Sequence, residues 1–287
     1  MPIAVTIDFE CWPQVLWRRA AGQELSVGGA GLARQTDHML DWLAGHEVRA
    51  TVFVLGMTAR AWPNLVRRIA SAGHEIAAHG DRHERVYHQS ATRFREDTQR
   101  ARDLLADLLG VRPSGYRAAE FSVTRDRRAT VYETLVELGF TYDASVFPIA
   151  HRRYGIADAA RGPEVVAHGR LVSLPAATVA LGAVRLPVAG GGYFRVTPAP
   201  LLCAAVQRLD AEGLPAVLYF HPYEFDDRGP QLDLPTPLRR VWPRWHQVAQ
   251  SLGRARVLPR LAAVLRLGLP RSTLGELAQA TIERLKP

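Results

Sequence analysis

Gly73–His88 reads GHEIAAHGDRHERVYH, and its character changes in the middle. Glu75-Ile76-Ala77-Ala78 is a short, mostly apolar run that ends at His79, and Gly80-Asp81 behind it is a turn signal. The stretch therefore reads as a buried strand emptying into a loop that carries a second imidazole, His83. If that turn is helical, the two histidines share a face. Two neutral imidazoles side by side make half of a divalent-metal site. An HxxxH pair also occurs as plain surface histidines, so its weight depends on what the rest of the chain brings to it.

Working outward, similar runs also end in polar residues. Ile3–Ile7 is a strand that empties into Asp8 and Glu10. After a loop with Gly22, Gly28, Gly29 and Gly31, Thr36 or Asp37 caps a helix that runs to Ala44 and stops at Gly45. Thr51–Leu55 is a second strand, and Trp62-Pro63 opens a helix with Leu65, Val66 and Ile69 at helical spacing. Ala91–Leu109 is a long amphipathic helix ended by Gly110. Gly115–Phe121, GYRAAEF, is a fourth strand carrying Arg117. A helix from Thr124 to Leu138 and a strand Phe140–Asp143 follow. Strand and helix alternate throughout, which predicts a parallel sheet with right-handed crossovers.

Residues 150–197 break the rhythm. Leu171–Leu174, Thr178–Leu181 and Val184–Val188 are short apolar pieces between Gly and Pro, read as an antiparallel excursion. Gly190-Gly191-Gly192 lacks the GK[ST] of a phosphate loop and does not open a helix, so it reads as a tight turn or a loop beside a ligand. A helix Pro198–Glu212 and a strand Pro215–Phe220 then lead to His221. Residues 1–234 are read as one barrel and 235–287 as Arg/Leu-rich packing helices and a tail.

Asp8, Glu10, His79, Arg117, Asp143 and His221 each stand at the end of an expected strand. In a (β/α) barrel those ends share one face, where the chemistry of such folds is found. The plain alternative is an internal Arg117–Asp143 ion pair with His221 capping a strand. Together with His83, the six supply what a hydrolytic metal centre needs: His79, His83 and one carboxylate of the Asp8/Glu10 pair as ligands, and the other carboxylate as base.

Bulk properties agree with a soluble globular chain whose length suits one α/β barrel domain or two modest domains. The 287 residues are 47% hydrophobic and 22% charged, ordinary for a globular chain. Cys11 and Cys203 are too few for a disulfide framework or a thiolate zinc site. The net charge of +8 comes mostly from arginine, and with no nucleic-acid motif beside it reads as a composition bias. The N-terminus, MPIAVTIDFE, is a poor signal peptide, and no apolar run approaches a spanning helix. A cytoplasmic location without an integral membrane segment is expected.

From Ile3 to about Glu224 the chain resembles the polysaccharide deacetylases of the NodB-homology type, carbohydrate esterase family 4. The likeness runs through TIDFE, TVFVLG, GHEIAAHGDRH, GYRAAEFS, YDASVFP, GGGYFR and LYFHPYE, in the family's order. It is nearest to the exopolysaccharide-associated deacetylases found with exosortase-type gene clusters. The resemblance implies a distorted (β/α)7 barrel with a small β excursion and C-terminal helices. It also implies zinc, or cobalt or another divalent ion in its place, and an acetylated glycan as substrate. By position, Asp8 matches the base, Glu10 the metal carboxylate, and His79 and His83 the histidine ligands. Arg117 matches the arginine orienting the base, Asp143 the aspartate tuning the acid, and His221 the acid. Backbone N–H groups near Ala119 and Glu120 would hold the oxyanion.

Two departures stand out. The carboxylates are spaced Asp8-x-Glu10 instead of adjacent, which leaves open which of them binds metal. Arg117-Ala118-Ala119-Glu120 replaces Arg-x-Pro, which loosens the oxyanion loop and adds a carboxylate that disables the base if it pairs with Arg117. The leading expectation is a metal-dependent N-deacetylase of N-acetylhexosamine units in a bacterial exopolysaccharide or its precursor. A ring-opening amidohydrolase on a small cyclic amide and a non-catalytic glycan-binding protein on the same scaffold are the alternatives. Trp12, Trp17, Phe121, Tyr193 and Phe194 are the aromatics available to stack on sugar rings.

Overall fold

The computed structural model describes residues 1–11, 30–151, 154–182, 184–226 and 252–284. The expected loop glycines Gly22, Gly28 and Gly29, the aromatics Trp12 and Trp17, and residues 235–251 of the expected C-terminal segment lie outside them. The chain runs β1 (Ile3–Phe9), α1 (Ala30–Gly45), β2 (Thr51–Val54), α2 (Gly56–Ala61), α3 (Pro63–Ser71), β3 (Glu75–Ala78), α4 (Ala91–Leu109), β4 (Gly115–Tyr116), α5 (Arg128–Glu137) and β5 (Tyr142–Asp143). It continues through β6 (Glu164–Val166), β7 (Leu171–Ser173), β8 (Thr178–Leu181), β9 (Val184–Pro187), α6 (Gly191–Val196), α7 (Ala199–Ala211), β10 (Ala216–Phe220), α8 (Val257–Leu265) and α9 (Leu274–Glu283).

From edge to edge the main sheet is ordered β10, β1, β2, β3, β4, β5, β7, β6. Its first seven strands are parallel and only β6 runs against its neighbour. Because parallel neighbours need crossovers, helices return the chain from β1 through β5 and pack on the outer face of the sheet, whereas β5 and β7 are joined through β6 without a helix. The segment after β7 spans the open side: Ala176 N–H donates to Val146 O at 2.9 Å and Ala177 N–H to Val217 O, within β10, at 3.0 Å. The result is a distorted (β/α)7 barrel, as expected.

Alternation along β1 decides what faces inward. Ile3, Val5, Ile7 and Phe9 pack with helix residues such as Leu65, Ile69, Leu105 and Leu202 in the larger core. Ala4 faces the other way, into an inner core with Phe53, Ala77, Tyr142, Val172 and Val217. Thr6 and Asp8 share that inner face, since Arg117 hydrogen-bonds both. Leu274 and Leu277 of α9 complete the inner core. The first turn of α9 is held at the strand starts, with Leu274 N–H donating to Thr51 Oγ1 at 2.8 Å and Gly275 N–H to Glu75 Oε2 at 3.0 Å. The site therefore opens at the opposite end. Among the described residues no helix is long and apolar enough to cross a membrane.

Four local expectations change. Leu171–Ser173 is not part of the antiparallel excursion but the seventh parallel strand beside β5; a fully buried run of this length lacks the alternation that separates the two cases. Only β8 and β9 form a separate antiparallel hairpin. Thr36 and Asp37 lie inside α1, where the Thr36 hydroxyl donates back to Leu32 O at 2.7 Å. The triple glycine does open a helix, the short α6. The expected strand Gly115–Phe121 stops at Tyr116 and gives way to a 3-10 turn, Ala119–Phe121.

Candidate active site

Sheet register brings the polar residues to one rim. Ile7 lies opposite Phe220, Ala78 opposite Tyr116, and Tyr116 opposite Asp143. Asp8, His79, Arg117 and His221 follow directly on those paired positions.

Arg117 is the buried hub. Its Nη1 donates to Asp8 Oδ1 at 2.7 Å and to Thr6 Oγ1 at 2.8 Å, and its Nε donates to Ala144 O at 3.2 Å. Its guanidinium lies 4.1 Å from the Phe53 ring centre and 5.1 Å from that of Phe121, an apolar sandwich that strengthens the ion pair by excluding water. Burial opposes ionisation of Asp8, but Arg117, His79 and His221 outweigh it and hold the carboxyl below its usual range. Asp8 is thus ionised at neutral pH.

Glu10, His79 and His83 converge, with one potential ligand atom from each within 4.8 Å of the others. His79 Nδ1 lies 2.8 Å from the Arg117 carbonyl oxygen. A carbonyl only accepts, so Nδ1 carries the proton and Nε2 keeps its lone pair, as in many metal-binding histidines. Burial lowers the pKa of His79, keeping the ring neutral. Glu10 Oε2 and His83 Nε2 are 2.6 Å apart, and Oε2 is buried without a well-aligned donor. Burial opposes the charge on Glu10, but His83, His221 and His79 overcome it and lower its pKa. Two imidazoles and one ionised carboxylate with inward lone pairs fit a zinc-type ion.

The turn bearing His83 is not helical, contrary to the i, i+4 expectation. His83 has φ +52°, and the two histidine rings still meet at 5.6 Å between centres. Asp97 on α4, which sequence reading missed, enforces this by accepting the N–H groups of Asp81 at 2.7 Å and Arg82 at 3.2 Å. Gly80 makes the approach possible: at φ +77°, a Cβ there would stand 2.9 Å from Asp97 Oδ2.

On the far side, His221 Nε2 lies 3.6 Å from Glu10 Oε1 and its Nδ1 3.7 Å from Glu224 Oε2. Burial works against a charged ring, but Glu224, Glu10 and Asp8 reverse it and raise the His221 pKa to about 9.

Known proteins resemble parts of the chain that carries this cluster. Residues 29–142 match the family model for polysaccharide deacetylases. Over that stretch the chain is similar to the polysaccharide deacetylases. Residues 144–267 match a second model, a domain of unknown function, DUF3473. A peptidoglycan-N-acetylglucosamine deacetylase of Bacillus cereus is 35% identical over 82 residues, 29% of this chain and 30% of that protein. A peptidoglycan deacetylase of Helicobacter pylori is 31% identical over 124 residues, 42% of this chain and 39% of that protein. The matches thus span well under half the length of these curated relatives. The crystal structure of a candidate polysaccharide deacetylase from Mycobacterium smegmatis superposes over 100% of this chain and 96% of its own, at TM-score 0.63 and 20% identity, which supports the fold.

Within the barrel, one expected partnership and one that the sequence left open are not formed. Asp143 does not serve His221: it accepts the Ser145 N–H at 3.2 Å and the Ser145 hydroxyl. Burial raises its pKa to about 6, against the pull of Ser145 and Arg117. Glu120 does not seize Arg117 either; it pairs with Arg85 at 2.9 Å, across to the loop that follows His83. Glu120 and Phe121 have φ +54° and +51°, strain of about 1–3 kcal/mol each that the surroundings must hold in place. Part of that hold is the Val86 N–H donated to Ser122 Oγ at 3.0 Å. Phe121 and Phe194 are buried and Tyr193 is half-buried, so neither phenylalanine offers a face to a sugar.

Proposed function

We propose that the chain is a metal-dependent N-deacetylase acting on N-acetylhexosamine units of a bacterial exopolysaccharide or its precursor. The carrying observation is the convergence of Glu10, His79 and His83 within 4.8 Å, beside an Asp8 that no ligand position consumes. The assignment separates the Asp8/Glu10 pair by role: Arg117 holds Asp8 for proton transfer, and Glu10 faces the histidines. The glycan class is supported by what the relatives are named for, and its exopolysaccharide part rests only on the resemblance of the ordered motif series from TIDFE to LYFHPYE.

Glu10, His79 and His83 would hold the ion, zinc or another divalent metal. When bound, it supplies Lewis-acid polarisation of the acetamide carbonyl and lowers the pKa of water toward neutrality. Asp8, ionised and anchored through Oδ1, takes the proton of the attacking water. The oxygen adds to the acetyl carbon, and peptide N–H groups of the Ala119–Glu120 turn stabilise the oxyanion. His221 donates a proton from Nε2 to the amine as the C–N bond breaks, releasing acetate and leaving a free hexosamine nitrogen.

The test is acetate release by the zinc-loaded protein from peptidoglycan, acetylated chito-oligosaccharide and an N-acetylhexosamine exopolysaccharide. We expect turnover on at least one, with His221→Ala keeping its metal while turnover falls by about 10²–10⁴-fold. Loss of metal in His221→Ala would show that His221 is a ligand. No acetate from any of the three glycans would overturn the reading.

A further inference from the structure

No sequence pattern assigns a role to Glu224, and the glycines of GGGYFR by themselves read as a turn or loop. The structure joins them. The Glu224 side chain is almost wholly buried. Its Oε2 accepts the backbone N–H of His221 at 3.0 Å and faces the same residue's Nδ1 at 3.7 Å, while its Oε1 accepts from Arg195 Nη2 at 3.1 Å. Gly191 makes the seat: a Cβ there would lie 1.7 Å from Glu224 Oε1, so no other residue leaves room for the carboxylate. Arg195, four residues on and in the same short helix, also stands 5.6 Å from the centre of the Tyr223 ring, which is stacked on His221 at 5.1 Å and 21°. Gripped through its backbone, faced at Nδ1 and covered by Tyr223, the His221 ring is left with Nε2 turned toward Glu10 and the mouth.

We infer that Glu224, seated over Gly191 and braced by Arg195, is the positioning residue that orients the His221 imidazole for proton donation, a role resting on the deacetylase reading above. Glu224 thereby occupies the place expected for Asp143. Its backbone acceptor role alone would be structural, and the two roles separate by substrate. Protonation of the leaving group matters for an amide, whose amine leaves poorly, and little for an activated aryl ester, whose phenolate leaves unaided.

The experiment compares wild type with Glu224→Gln, both zinc-loaded, on acetylated chito-oligosaccharide and on 4-nitrophenyl acetate. Gln keeps the acceptor for the His221 N–H while removing the charge. We expect kcat on the glycan to fall by about 10²-fold with KM within about twofold, while aryl acetate turnover changes by less than about threefold. Gly191→Ala, which pushes the carboxylate away without touching it chemically, should reproduce the pattern and carries the test if Glu224→Gln does not fold. Equal loss on both substrates, or no loss on either, would overturn the inference. Nitrogen NMR of the His221 ring at one fixed pH provides a readout without turnover: the ring resonances should move in both variants. Unmoved resonances overturn the inference even if wild type proves inactive on glycans, whereas wild-type inactivity with moved resonances overturns only the deacetylase reading.

Discussion

The side of the mouth proposed to hold metal, here the ligand side, and the side carrying the proposed acid His221, here the acid side, differ in what holds their side chains. On the ligand side, strand ends and backbone do the work. Asp8 leaves β1 on the same face as Thr6, His79 is fixed by the Arg117 carbonyl, and the His83 turn is gripped by Asp97 through two peptide N–H groups. On the acid side, His221 is oriented by side chains: Glu224, Tyr223 over it, and Arg195 reaching in from a different helix. A site built on sheet register tolerates change in its surroundings, whereas one built on a chain of side chains fails when any link moves.

The sharpest way to break this comparison is His83→Ala. We expect about one divalent ion per chain in wild type and essentially none in the variant, by elemental analysis after zinc loading. An unchanged metal content would dissolve the ligand side as drawn.

Next comes Arg117→Met, which leaves Asp8 buried without its cation. Urea unfolding should show a loss of about 3–5 kcal/mol. A loss below about 1 kcal/mol would mean that register alone, without the buried pair, holds the ligand side.

Asp143 predicts a pH effect distinct from both. Its carboxyl holds a proton to about 6 in the folded protein, against 3.8 ordinarily. Between these values the folded state binds more protons than the unfolded chain, so stability falls as pH rises through this window and is level on either side. The total is up to about 3 kcal/mol. Asp143→Asn should flatten that fall, measured as unfolding free energy at pH 4 and pH 7. An unflattened profile would place the titration elsewhere.

The smallest effect belongs to Glu120→Gln. Its pair with Arg85 is partly exposed, so stability should drop by less than about 1 kcal/mol. A larger loss would make that ion pair the principal hold on the strained turn, and would move the oxyanion loop to the side-chain-built half of the comparison.

Sequence by itself determined the barrel's parallel half and the identity of the residues at its rim. Strand-length apolar runs, turn glycines and polar residues just past each run are set by neighbours along the chain, and a parallel sheet converts them into one face. For the same reason Asp8, Glu10, His79, Arg117 and His221 were all legible. Tertiary structure alone decided the partnerships. Leu171–Ser173 joined the main sheet because β5 lay open beside it. His83 reached His79 through a left-handed backbone held by Asp97, not through a helix turn. Glu120 found Arg85 and not Arg117, and Glu224 found its place because Gly191 and Arg195, about 30 residues earlier, arrive beneath it. Such contacts depend on distances across the fold that no local pattern encodes, and burial makes them decisive, since a buried charge takes whichever partner the packing brings within reach.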